Sequence, residues 1–250
     1  MKTILIGNGY WGSIVRSKLE KYTEILYIAN SQDNIERILD KYNYADYIFI
    51  CTPTPTHYDI AKKCIIRGKN IFCEKPFTGD INRARTLYMM SEKNNTKIFV
   101  DNIFLYRKEI TNIENREIKE IKFIWNKFEE VFKENLLNTL LYHDLYFLLE
   151  LTKSKCQYEW NIKSIEISDE KLLLKLSNSL ISSEFEYNRG PSYIKEKKIL
   201  INNDIIDMST PLNDPLSEIL EDLMSNKIDF LYNKILTLDT ISLLNKIELF

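Results

Sequence analysis

Short apolar runs alternate with longer amphipathic stretches through the first hundred residues. Runs at 4–6, 24–29, 47–51, 70–73 and 97–100 read as strands. Segments 13–21, 34–41, 57–67 and 81–93 carry helical spacing between them. The run YIFIC at 47–51 is apolar without interruption, as in a strand buried on both faces of a parallel sheet. Helix limits are readable too. Thr56 and Asp80 precede two of the helices as caps, and Gly68 and the Asn94-Asn95 pair end them. Strict alternation of strand and helix predicts a doubly wound parallel sheet.

The pattern changes after Asn102. Residues 106–115 read as a helix, 118–128 as an alternating strand, and 136–151 as an apolar helix. Strand candidates follow at 158–167, 171–176, 180–187 and 195–201. The last three are separated by short turns, including 188–191 and 202–204, and are therefore expected to be antiparallel. Helices at 216–225, started by Asp214-Pro215, and 229–249 close the chain. The expected fold is α/β, with two domains: 1–102 and 103–250. The second is an α+β domain with a largely antiparallel open sheet.

Composition narrows the class without deciding it. Of 250 residues, 44% are hydrophobic and 28% charged, with a net charge of -2, as in an ordinary globular protein. No basic field or basic–aromatic interleaving points to nucleic acid, and no charge excess points to a membrane. No apolar run reaches the roughly 18 residues that span a bilayer, and nothing before Lys2 reads as a signal peptide, so a cytoplasmic location is expected. Cys51, Cys64, Cys73 and Cys156 form no C-x-x-C pair, and the chain has two histidines, so no metal site is expected. Cys51 and Cys73 end apolar runs and read as buried thiols.

The candidate chemistry begins at the first strand. It runs into Gly7-Asn8-Gly9-Tyr10-Trp11-Gly12 and then a helix, the context in which G-x-G-x-x-G marks a dinucleotide site. Gly7 makes the turn, Gly9 lets backbone approach a pyrophosphate, and Gly12 lets the helix pack on the strand. Unpaired N–H groups at the helix start then face the phosphates. Trp11 either covers the cofactor or packs. An acidic residue commonly follows the second strand about 20 residues past the glycines, to hold the ribose. Here Asn30 and Ser31 stand at that position, with no Arg or Lys at 31–34, which favours NAD over NADP. The loops Thr52-Pro53-Thr54-Pro55-Thr56 and Glu74-Lys75-Pro76-Phe77 leave the sheet at its carboxyl edge, where open α/β sheets bind ligands.

These pieces, GNGYWG at 7–12, TPTPTHY at 52–58, EKPF at 74–77 and a helix bearing His143-Asp144, resemble the glucose–fructose oxidoreductase/inositol dehydrogenase (Gfo/Idh/MocA) family. The resemblance implies a Rossmann domain, a nicotinamide cofactor and oxidation or reduction at hydroxyl and keto carbons of sugars, cyclitols and sugar nucleotides. It maps the catalytic lysine onto Lys75 and the catalytic histidine onto His143, in different domains. It places Thr52, Pro53 and His57 beside the cofactor and Glu74 near the nicotinamide ribose. It also implies a cis Lys75–Pro76 bond and a homodimer or homotetramer. His143-Asp144 and the segment VDNIFLYR at 100–107 look most like members acting on nucleotide-linked sugars. Where the family has Asp four residues before the histidine, this chain has Thr139; where it has Pro or Gly just before it, this chain has Tyr142; and the second domain is shortened.

The chemistry has its own logic. Hydride loss from an alcohol carbon leaves a hydroxyl proton, which a histidine can take near neutral pH. A lysine at the same oxygen stabilises its developing charge. Asp144 falls on the apolar stripe 137, 140, 141, 144, 148 and reads as a cap of its helix. The expected function is an NAD(P)-dependent oxidoreductase acting on a small carbohydrate or sugar nucleotide. The alternatives are a cofactor-binding sensor or partner subunit without turnover, and a reductase of an apolar dihydrodiol-like substrate.

Overall fold

The computed structural model describes residues 1–110, 113, 117–130, 135–153, 159–202 and 204–250. The helices are α1 (Tyr10–Leu19), α2 (Ile35–Lys41), α3 (Thr54–Ile66), α4 (Ile81–Lys93), α5 (Tyr142–Thr152), α6 (Pro215–Met224) and α7 (Phe230–Glu248). One compact unit comprises Met1–Tyr106 with Pro215–Ile241; the other comprises Arg107–Asp214 with Ser242–Phe250. A single division at 102/103 therefore does not describe the chain, because residues 215–241 return to the first unit.

In the first unit β1 (Lys2–Ile6), β2 (Glu24–Ala29), β3 (Tyr47–Ile50), β4 (Asn70–Cys73) and β5 (Ile98–Val100) form a parallel sheet in the order β2-β1-β3-β4-β5. The order reverses between β1 and β3, so the ligand crevice of such a sheet lies at their carboxyl ends. Asp80 caps α4 through its side chain, accepting from the Arg83 N–H at 2.8 Å, and Asn34 does the same for α2. Two helices start earlier than the local spacing suggested. α1 begins at Tyr10, and α3 begins at Thr54 behind Pro53, with Pro55 in its first turn. A proline there needs no N–H partner and already holds a helical φ. Thr56 is thus inside α3, not its cap.

One sheet face carries Leu5, Phe49, Phe72 and Phe99, buried against Val15 and Leu19 of α1. The Phe49 and Phe72 rings stack at 4.7 Å. Leu216, Ile219, Leu220 and Leu223 of α6 complete this cluster, which is why α6 belongs to this unit although it lies more than a hundred residues beyond β5. α7 protects the edge strand. The Asn233 side chain accepts from the Val100 N–H at 2.9 Å and donates to the Val100 carbonyl at 2.9 Å. One amide side chain thus satisfies both backbone groups that a sixth strand would have bonded.

The second unit holds β6 (Glu120–Phe128), β7 (Asn161–Ile167), β8 (Lys171–Ser177), β9 (Ser182–Gly190), β10 (Glu196–Ile201) and β11 (Asp204–Asp207), in the order β11-β10-β6-β9-β8-β7. All neighbours are antiparallel except β6 and β9, which are parallel. Two expectations are corrected. β9 and β10 do not pair, because β6 lies between them. In the predicted turn at 202–204, Asn202 stands at φ 53° and Asp204 already begins β11, with residue 203 outside the described residues. The predicted helix at 106–115 is replaced by 3-10 turns at Ile103–Tyr106 and Lys108–Ile110. Arg107 sits between them, bonded to Glu109 and to the Met208 carbonyl. Residues 111, 112, 114 and 115 of that prediction lie outside the described residues, as do residue 158 of the predicted strand and Cys156. Within 136–151, Leu137–Leu141 is a π-helical turn that leads into α5.

Phe123 and Phe185 stack at 4.9 Å on the buried face of this sheet, and Phe123 meets Phe147 of α5 edge-on. The other face is a charge ladder: Lys122 pairs with Glu186 at 2.7 Å, and Lys175 with Glu184 at 2.7 Å. Asn233→Ala should lower unfolding free energy by about 1–3 kcal/mol, the cost of leaving a buried backbone donor and acceptor unmet. Denaturant unfolding measures this; an unchanged midpoint would show that the edge of β5 does not need Asn233.

Candidate functional site

The crevice at the β1/β3 switch is shaped by backbone contact. Gly7 has φ +98°, and a Cβ there would lie 2.5 Å from the Cys51 carbonyl oxygen. A Cβ at Gly12 would lie 2.1 Å from the Gly7 carbonyl oxygen. β1, α1 and the end of β3 therefore meet with no room for a side chain at either position. Gly9 differs: nothing lies within 4 Å of where its Cβ would stand. Asn8, Gly9 and Tyr10 are exposed, no side chain caps the α1 N-terminus at Gly9, and its first turn holds no acid. An open, uncapped helix start with a cradle a Cβ would fill fits a pyrophosphate. Trp11 packs on the Leu5–Phe49 cluster, its indole N–H buried without a hydrogen-bond partner.

At the end of β2 the Asn30 side chain turns back on its own loop and accepts from the Gln32 N–H at 2.9 Å. Ser31 is exposed. Asp33 supplies the negative charge there, accepting from the Asn30 N–H at 2.8 Å and from the Tyr27 hydroxyl at 3.1 Å. The sequence offered Asp33 as a signal, an acid three residues past the expected position, but chain spacing alone pointed to Asn30.

The two loops that leave β3 and β4 are tied together by His57. This residue is fully buried on α3. Its Nδ1 lies 2.8 Å from the Pro76 carbonyl and its Nε2 2.7 Å from the Thr52 carbonyl. His57 thus links Thr52 to the Lys75–Pro76 turn rather than lying open beside Thr52–Thr54. The Thr56 hydroxyl is 2.7 Å from both the Thr52 hydroxyl and the Pro53 carbonyl, which fixes the loop at the start of α3. The Lys75–Pro76 bond is cis. Lys75 is half-buried, while Pro76, Phe77 and Thr78 behind it are buried.

Glu74 and Asp101 are the first residues past β4 and β5, whose last residues, Cys73 and Val100, are paired in register. The two acids thus leave adjacent parallel strands side by side. Burial raises both above the usual carboxylate range, and the neighbouring Lys75 charge opposes the rise. The thiols of Cys51 and Cys73 are pushed well up by the same burial, and Cys64 to about 12. They are inert as nucleophiles.

In the second unit His143 lies half-buried on α5, its Nδ1 3.1 Å from the Tyr146 hydroxyl and its ring 5.9 Å from that of Trp125. Asp144 does not cap α5. Its carboxylate, 1% exposed, pairs with Lys197 at 2.5 Å and accepts from the Tyr187 hydroxyl at 2.7 Å. Lys197 also lies 3.6 Å from the centroid of the Trp125 ring. Burial raises the Asp144 carboxyl despite those two partners. The Thr139 hydroxyl donates to the Asn135 carbonyl at 2.8 Å. Among the described residues no cluster of His, Cys, Asp or Glu could hold a metal, and no helix is long and apolar enough to cross a membrane.

A glycine turn at a sheet switch point with an open helix start defines a dinucleotide-binding domain, and comparison with known proteins agrees. Residues 13–102 match a family model described as "Oxidoreductase family, NAD-binding Rossmann fold". That model is the one of the Gfo/Idh/MocA oxidoreductases, so over these 90 residues the chain is similar to that family. An inositol 2-dehydrogenase of Rhizobium meliloti is 40% identical over 55 residues, 22% of this chain and 17% of that protein. A trans-1,2-dihydrobenzene-1,2-diol dehydrogenase of Xenopus laevis is 31% identical over 87 residues, 33% of this chain and 26% of its own. The sequence matches thus span about a quarter or less of these relatives. Fold likeness extends further. The WlbA (WbpB) dehydrogenase of Thermus thermophilus, solved with NAD and UDP-GlcNAcA, superposes with a TM-score of 0.79 at 11% identity, over 98% of this chain and 94% of that one. The UDP-N-acetylglucosamine 3-dehydrogenase GnnA of Acidithiobacillus ferrooxidans gives 0.80 at 14%, over 98% and 96%.

The two glycines should respond in opposite ways. Gly12→Ala forces backbone apart and should cost about 1–3 kcal/mol or more of stability, as overpacking does, whereas Gly9→Ala should leave thermal unfolding unchanged. Equal melting of both variants would refute the close approach at Gly12. In the second unit, Lys197→Met strands a buried carboxylate and should cost about 3–5 kcal/mol. Adding Asp144→Leu should recover part of that loss, a coupling readable from a double-mutant cycle. Additive losses would show that the pair is not coupled.

Proposed function

We propose that the chain is an NAD-dependent oxidoreductase that moves a hydride between the nicotinamide and a hydroxyl- or keto-bearing carbon of a sugar or sugar nucleotide. The observation that carries this is the open cradle at Gly9 on an uncapped helix start, with Lys75 leaving the same sheet edge two strands away. The cofactor, when bound, supplies the hydride acceptor or donor. The backbone of residues 7–12 takes its pyrophosphate, and the Thr52–Thr54 loop, held by His57, borders it. The Asp33 carboxylate at the end of β2 disfavours a 2′-phosphate and so selects NAD over NADP. Lys75 donates a hydrogen bond to the reacting oxygen and stabilises its negative charge. His143 takes or returns the hydroxyl proton, its ring oriented through Nδ1 by Tyr146. Support for a nucleotide-linked sugar comes from the fold shared along nearly the whole chain with two enzymes whose names or ligands carry UDP-sugars.

A second reading has its own support. Thr139 spends its hydroxyl on the Asn135 carbonyl and brings no carboxylate toward His143, as suits a cofactor-binding protein without turnover.

Calorimetric titration with NAD and an NADH-linked assay against a panel of UDP-sugars separate the two. NAD should bind wild type and Lys75→Ala alike, and Gly9→Val weakly. Lys75→Ala and His143→Asn should each reduce turnover, the latter by about 10²–10⁴-fold. NAD binding with no turnover on any sugar would favour the second reading, and turnover insensitive to both changes would displace these residues.

A further inference from the structure

The acids behind Lys75 remain unused by the reading above. Glu74 and Asp101 exit adjacent parallel strands side by side. Asp101 is 1% exposed, and no hydrogen-bond donor reaches either of its oxygens or Oε1 of Glu74. The neighbouring Asn102 side chain is buried with its amide nitrogen and oxygen equally unmatched. The Lys75 backbone N–H is a donor to Glu74, and none reaches Asp101, so two carboxylates side by side would repel across a buried site and cannot both ionise. Carboxyl oxygens approach each other closely only when a proton lies between them.

We propose that Glu74 and Asp101 share one proton and act as a positioning pair that presents a single negative charge to Lys75. The charge count has a consequence for the lysine. A doubly ionised pair would draw the ammonium inward and hold it there. A singly ionised pair balances one charge with one charge and leaves the ammonium able to reach outward. Burial raises both carboxyls, so the proton belongs to the pair rather than to either residue alone. The other ionisable groups facing the pair are Lys75, the thiols of Cys51 and Cys73, and the Tyr106 hydroxyl. Burial keeps both thiols and the phenol protonated near neutral pH, so Lys75 is the charge that counts.

The sharing is visible without activity. Carboxyl-carbon NMR of the whole chain labelled at Asp and Glu should show, at pH 7, one protonated side-chain carboxyl that titrates far above the rest. Glu74→Gln and Asp101→Asn should each abolish that signal. Stability should report it too. An acid whose folded value lies above its unfolded one takes up a proton on folding, so its stabilisation is full at low pH and is lost as pH rises through the folded value. The wild-type melting temperature should therefore fall as pH rises from the carboxylate range past neutrality. Asp101→Asn should flatten that fall, because its amide supplies the hydrogen bond without a proton. If Glu74→Gln does not fold, the wild-type titration and Asp101→Asn decide alone. Two ionised carboxyls at pH 7, or a protonated signal that survives Asp101→Asn, would overturn the proposal. The effect on Lys75 rests on the catalytic reading: the alkaline limb of the rate profile should shift in Asp101→Asn. A chain with the shared proton but no turnover would defeat that reading and leave the pair standing.

Discussion

Gly7 and Gly12 bring β1, α1 and the segment after β3 to backbone distance, and the rest of the first unit is arranged around that approach. A side chain at Gly12 would meet the Gly7 carbonyl and push α1 off the sheet, and one at Gly7 would meet the Cys51 carbonyl. α1 carries Val15 and Leu19 into the Phe49–Phe72–Phe99 stack, and the same cluster holds α6. Moving α1 would loosen both. The contact also sets where the open space lies. Because the turn is tight at Gly7 and Gly12 but empty at Gly9, the exposed N–H groups of the helix start face a cradle rather than a packed wall. Packing and binding thus draw on one short segment with opposite demands, satisfied at different glycines.

The polar groups at the sheet's carboxyl edge are held by the backbone more than by one another. His57 spends both ring nitrogens on carbonyls of two different loops, Thr52 and Pro76. Neither carbonyl has a strand partner once a proline-rich loop has left the sheet; a neutral ring donates its one N–H to one of them, and only the protonated ring donates to both. Asn233 does the equivalent work on the edge of β5. In both cases a side chain distant in sequence completes the backbone hydrogen bonding of a parallel sheet where the sheet itself stops.

Much of the first unit was legible because its information is local. A continuous apolar run, a glycine turn and an Asx cap each lie within ten residues, and β1 to β5, α2 and α4 follow them closely. What the sequence hid was non-local or lacked contrast. The parallel pairing of β6 with β9 joins segments some sixty residues apart, and no periodicity encodes a partner. β11, with sequence DIID, is a mostly exposed edge strand and so lacks the apolar alternation by which strands are recognised. The return of α6 to the first unit is invisible in its amphipathic pattern, which says that one face is buried but not against what. Among site residues, Lys75 and the glycines stood out by motif. The inward turn of His57 and the placing of Glu74 beside Asp101 depend on which strands lie side by side, which emerges only from the fold.

Buried charge is handled differently in the second unit. Asp144 follows His143 in the chain, and a carboxylate beside a histidine is the usual means of orienting the ring and stabilising its cationic form. Here that carboxylate is already engaged by Lys197 and Tyr187, and Lys197 in turn lies over Trp125, so the group locks α5 to β9 and β10. Its negative charge is neutralised where it stands. Thr139 contributes none. The His143 ring meets the Tyr146 hydroxyl, three residues along the same helix, and the Trp125 ring. A hydroxyl can fix the direction of an imidazole, but it adds no charge to favour the proton's arrival.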